Sequence, residues 1–291
     1  MHAWSYSAMA ALAWALVPML AFGFAGDAIV RVCDRLPLTV RLLLPAAFGV
    51  PYALTGAAGS RGQWLFLYLM LPVVVAVLLW HAREQDPLQR GDWRDGAVLL
   101  VLGLAVDLRW LEPAWPAHLS VIGKLILLDS GLYGFLVIRQ LSGLGFDLLI
   151  RARDVAVAVR ELALYAPIAV PLGLALGFLH FHAGLPRPWQ ATATALLTFF
   201  FIAVPEEIYF RGWIQNLLER RLGRNYSLWL TSAIFGLAHF NKLAMRFNWR
   251  YVLLAAIAGI FYGRAWRQQH RVAASALTHA SVDTVWSLWL R

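Results

Sequence analysis

The chain has 291 residues and a formal net charge of +9, yet only 14% of its residues are charged and 60% are apolar. A soluble domain carries about 25% charged residues, so a soluble globular fold is excluded and an all-α, polytopic transmembrane helix bundle is expected. The basic residues are scattered between apolar segments and form no stripe. That pattern argues against nucleic acid as a partner and makes the charge a topology signal.

The first apolar run, 8–26, has no Lys or Arg ahead of it. A secretory leader starts with a positive region, so this run reads as an uncleaved membrane helix. Further segments near the spanning length of about 20 residues are expected at 36–58, 64–81, 96–111, 119–138, 155–180, 189–218, 226–240, 249–266 and 272–290. Asp107 and Arg109 weaken the fourth segment, and Pro205 is expected to kink or break the seventh. The expectation is eight to ten spans. With the N-terminus outside, sixteen arginines fall in inner loops and seven cations fall outside, which fits ten spans with both ends outside. The cluster Lys242, Arg246 and Arg250 is the misfit.

Arginine outnumbers lysine 23 to 2 in an alanine-rich chain. This bias suggests a GC-rich bacterial genome, and with it a bacterial inner (plasma) membrane. The lone Cys33 permits neither an intrachain disulfide nor a cysteine-based metal cluster. The polar loop 81–95 interrupts the apolar pattern. The expected division is residues 1–150, membrane helices of unassigned role, and 151–291, a catalytic helical core. Gly173-x-x-x-Gly177 and Gly259-x-x-x-Gly263 have the small-residue spacing that allows close helix approach.

The last third carries polar residues inside apolar segments. In 204-VPEEIYFRG-212, Glu207 and Arg211 are four apart and form an ion pair on one helix face. Glu206 points about 100° away and remains free to face a cavity as a general base. On the next apolar segment His239 follows Phe235 by four, and on the last Asp283 follows His279 by four. Ionisable residues in a membrane usually line an internal site. A single intramembrane histidine is more often a hydrogen-bonded packing residue, and Asp129 most simply pairs with a polar neighbour. His180 and His182 lie at a helix end. At ~1.5 Å per residue, Glu206 and His279 fall in the inner half of the bilayer and His239 falls nearer its outer side.

In this order and on successive segments, Glu206-Glu207-x-x-x-Arg211, Phe235-x-x-x-His239 and His279-x-x-x-Asp283 resemble the motifs of the CPBP family. These are the CAAX-prenyl-protease and bacteriocin-processing intramembrane endopeptidases, also called Abi proteins. The resemblance covers about residues 190–290. It implies that Glu206 activates water with help from His239, and that His279 and residue 283 hold the developing oxyanion. Glu207, Arg211 and Phe235 are then supporting residues. The best-known CAAX proteases have Asn where this chain has Asp283. An Asn amide donates to an oxyanion and an ionised Asp does not, so Asp283 is either protonated or orients a cationic His279.

The family has been described both as glutamic proteases and as metalloproteases. The expectation here is no cofactor; the alternative is zinc held by Glu206, His239 and His279, a known type of open catalytic set. The implied partners are membrane lipids and a protein or peptide substrate with a membrane-proximal C-terminal segment. Two other functions compete: a catalytically inactive scaffold or immunity partner, and a transporter using Glu206 and the histidines as a proton relay. No inverted repeat supports the transporter.

Overall fold

The structure, a computed structural model, describes residues 5–55, 62–116, 119–182, 184, 186–242 and 247–290. Three of the seven cations expected outside, Arg61, Arg246 and Arg291, lie outside the described residues. All regular elements among the described residues are helical. The chain divides into two compact units, 1–142 and 143–291.

In the first unit, α1 (Tyr6–Asp34) packs on α6 (Ser120–Tyr133), and α4 (Gly62–Gln85) packs on α5 (Trp93–Asp107) and α6. The expected span 36–58 is instead α2 (Leu38–Leu43), a 3₁₀ turn (Leu44–Gly49) and α3 (Val50–Leu54). Pro45 and Pro51 lack the amide that a continuous helix needs. The expected fourth span becomes α5, whose 15 residues are short of the roughly 20 that cross a bilayer.

A buried arginine holds two acids of this unit together. Arg139 donates to Asp95 at 2.9 Å and to Asp86 at 2.7 Å. Asp129 accepts the backbone amide of Met19, next to Pro18 inside α1, so its polar neighbour is a main-chain group.

The second unit contains α7 (Ala152–Ala175), α8 (Pro188–Thr198), α9 (Val204–Glu207), α10 (Asn216–Leu237), α11 (Trp249–Gln269) and α12 (Val272–Val285). Here α7 packs on α11 and α12, and α10 packs on α11. The α10–α11 contact is close because Gly259 and Gly263 lie on it. A Cβ on Gly259 would sit 3.1 Å from Ser232 Cα, and one on Gly263 would sit 2.5 Å from a Leu228 methyl. Gly177 does something else: it turns the chain beyond α7 at φ +61°, and a Cβ there would meet nothing within 4 Å.

Arg271 ties α12 to the start of the unit through Asp147, Asp154 and the Leu149 carbonyl. Five helical stretches among the described residues have the length and composition of a span: α1, α4, Ser120–Ile138, α7 and the run Pro188–Leu237. The other expected segments are shorter, broken or more polar. The protein is an integral multi-pass membrane protein.

Candidate active site

Pro205 does not break its helix. The run from α8 to α10 passes it by widening into π-helical turns at Phe199–Ala203 and Ile208–Gln215. Such turns absorb the amide that proline lacks and recur at functional sites. The run does break at Gly223 (φ 77°, ψ 171°), which turns α10. Glu206 and Glu207 therefore sit on a distorted stretch, held in place by its neighbours.

Glu207 and Arg211 are both fully buried, with Arg211 Nε 3.2 Å from Glu207 Oε2. The angle makes this an ion contact rather than a hydrogen bond. Arg211 also donates to the Gly259 carbonyl at 3.1 Å and lies 5.0 Å above the Phe235 ring. A desolvated guanidinium over a ring face contributes up to about 2 kcal/mol.

His279 gathers the carboxylates. Its Nδ1 is 2.9 Å from Glu207 Oε1, and its Nε2 is 3.4 Å from Asp283 Oδ2 and 3.9 Å from Glu206 Oε2. Tyr262 stacks on the imidazole, with centroids 4.5 Å apart and planes 14° apart, and Phe235 meets it edge-on at 5.6 Å. The ring is thus fixed on two faces and at both nitrogens.

His239 lies in the turn after α10, with its Nδ1 2.8 Å from the Phe235 carbonyl. A carbonyl only accepts, so Nδ1 carries the proton and Nε2 is left as an acceptor when the ring is neutral. Phe235 touches the rings of His239, His279, Phe210 and Tyr262. Burying such a ring stabilises by about 1.5–3 kcal/mol.

The four residues expected to be catalytic are thereby brought to one place. Glu206 and His239 are within electrostatic reach of each other and of His279. The depth difference expected for His239 does not keep it away, because the Gly223 break and the turn after α10 reposition it. Among the described residues, Glu206 Oε2 is buried with no hydrogen-bond donor.

Three participants were not anticipated. Tyr262 and Tyr251 share one face of α11, where Tyr251 meets His239 at 4.8 Å; the spacing 251, 255, 258, 262 was the available signal. Lys242 brings its Nζ within 3.7 Å of Glu206 Oε1; its only signal was the charge that misfitted the topology. A cavity of about 90 Å³ adjoins the site. Tyr165, Ala169 and Leu254 line its apolar side, and His239, His279 and Asp283 form its polar edge.

Among the described residues no three His, Cys, Asp or Glu side chains converge in an arrangement that holds a metal ion. Lys242 places its ammonium 3.7 Å from Glu206 Oε1, which opposes a second cation at that carboxylate. As arranged, Glu206, His239 and His279 do not fit zinc, and no step is derived through it.

No curated protein and no solved structure matches the chain. A family model does match, over residues 188–285: Rce1-like, type II CAAX prenyl endopeptidase Rce1-like. That match spans about a third of the chain and contains all three motifs. Residues 188–285 are therefore similar to the type II CAAX prenyl endopeptidases of the Rce1-like family.

Proposed function

We propose that this protein is an intramembrane endopeptidase that hydrolyses a peptide bond near the end of a membrane-associated protein, without a metal ion. The observation that carries the reading is the convergence of Glu206, His239, His279 and Asp283 on one aromatic-lined site. Glu206 takes a proton from water, with His239 Nε2 available as a second acceptor. The oxygen then attacks the scissile carbonyl carbon. The oxyanion forms beside His279 Nε2, whose single N–H turns from Asp283 to donate to it, while Glu207 holds the ring at Nδ1. The intermediate collapses as the C–N bond breaks, and the proton on Glu206 passes to the leaving amine. Water activation and oxyanion stabilisation are the two requirements of peptide hydrolysis.

The 3.4 Å approach of Asp283 to His279 Nε2 favours an orienting role for Asp283. The apolar cavity offers room for a short aliphatic side chain. Its roughly 90 Å³ is below the 150 Å³ that accommodates benzene. Mass spectrometry of protein C-termini in native membranes tests the reading, comparing wild type with Glu206→Ala. Uncut C-termini appearing only in the variant support proteolysis and identify the substrate. Identical C-termini with folded, expressed variant overturn it and leave the scaffold role.

A further inference from the structure

We infer that Lys242 is a carboxylate-binding residue at the mouth of the site, and that a substrate carboxylate releases Glu206 by taking Lys242 from it. The inference rests on the peptidase reading for its purpose, while its geometry stands separately. The site is rich in negative charge: Glu206, Glu207 and Asp283 all face His279. Arg211 balances Glu207 from a fully buried position and is also engaged by the Gly259 carbonyl and Phe235. It cannot reach an incoming ligand. Lys242 differs: its side chain is 36% exposed and it meets Glu206 at 3.7 Å, beyond hydrogen-bond length. A part-exposed ion contact of this kind is weakly held and exchanges readily.

The residue type supports the same role. Where the described residues show a fixed buried ion pair, the cation is arginine: Arg139, Arg211 and Arg271. The chain has two lysines among its 25 Lys and Arg residues, and one of them stands at the proposed base. An arginine there would grip both oxygens of Glu206 in a fork. A lysine is a point charge on a flexible stem and can leave. When a substrate carboxylate binds Nζ, the substrate is anchored and Glu206 is freed for its water in the same movement. Without Lys242, the charges of Glu206 and Asp283 would repel that substrate.

The carboxylate has two possible sources, the substrate's C-terminus or an acidic side chain near the scissile bond. The experiment measures binding to detergent-solubilised Glu206→Gln protein, in which Lys242 has lost its anionic partner and hydrolysis does not intervene. The probes are pooled short hydrophobic peptides, made as free acids, as C-terminal amides, and with Asp exchanged for Asn. Free acids are expected to bind at least about tenfold tighter than amides. The preference falls below about twofold in Glu206→Gln/Lys242→Met and is retained in Glu206→Gln/Lys242→Arg. If the preference follows Asp over Asn instead, the carboxylate belongs to a side chain. No preference for either carboxylate, or the same preference after Lys242→Met in protein with an unchanged melting profile, overturns the inference. The peptidase reading is scored apart, by wild-type hydrolysis of the same peptides. Lys242-dependent binding without hydrolysis would sink that reading and leave the carboxylate site standing.

Discussion

Arg211→Met tests the physical argument for the centre of the site. The substitution keeps most of the buried volume and removes the guanidinium. Glu207 then stays fully buried, with His279 Nδ1 as its remaining close partner. At 3.2 Å and an effective dielectric constant of ~20, the lost attraction is about 5 kcal/mol. Breaking one side of a buried pair costs about 3–5 kcal/mol in practice, because the surviving charge is stranded. The carbonyl of Gly259 and the face of Phe235 lose a donor and a cation as well. Equilibrium unfolding in mixed micelles should therefore place Arg211→Met at least about 3 kcal/mol below wild type. The double variant Glu207→Gln/Arg211→Met removes both charges together, so its cost should be smaller than the sum of the two single costs by about 1–3 kcal/mol. Additive costs, or an Arg211→Met cost below about 1 kcal/mol, would refute the claim that this pair anchors the site.

Other outcomes follow from the same geometry. Asp283→Asn should keep hydrolysis within about tenfold of wild type, since its amide oxygen still accepts from His279. Asp283→Ala should lose about 10²-fold, and equal losses in initial-rate assays would reject the orienting role. Gly236→Ala would put a Cβ 2.5 Å from the Val252 carbonyl oxygen and 2.7 Å from Ala256 Cβ. It should destabilise by about 1–3 kcal/mol and reduce activity by moving His239; an unchanged melt would contradict the packing. Exhaustive chelation should leave activity intact, with no stoichiometric zinc by elemental analysis, if the metal-free reading holds.

Asp86 lies in the loop after α4. Burial pushes its carboxyl up, but the Arg90 and Gly91 amides and Arg139 outweigh this and hold it below the usual 3.8. A folded value below the unfolded one stabilises above about pH 4 and loses that contribution as pH falls through the folded value. Thermal melts in detergent should therefore lose stability on acidification below about pH 4, and Asp86→Asn should flatten that loss. A variant with the wild-type slope would assign the effect elsewhere.

The membrane character and helical class were legible because they depend on composition and on runs of apolar residues, which are local properties. The same holds for Glu207 and Arg211, whose separation of four brings them together on almost any helix. The 36–58 segment was misread because hydropathy registers its apolar content but not the amides missing at Pro45 and Pro51. At Pro205 the helix runs on without a break, with π turns on either side, and such turns leave no mark in a hydropathy pattern.

The sequence by itself determined which ionisable residues are the candidates for chemistry, through three i,i+4 pairs on successive apolar segments. Only the tertiary structure decided how they meet. It set the imidazole of His279 between Glu207 and Asp283, laid Tyr262 flat on it, and brought Lys242 to Glu206. Those contacts join residues up to 72 positions apart. They depend on the turn at Gly223 and on the close α10–α11 approach at Gly259 and Gly263. Helical periodicity reaches only across neighbouring turns of one element, so no local pattern encodes a distance between side chains on different helices.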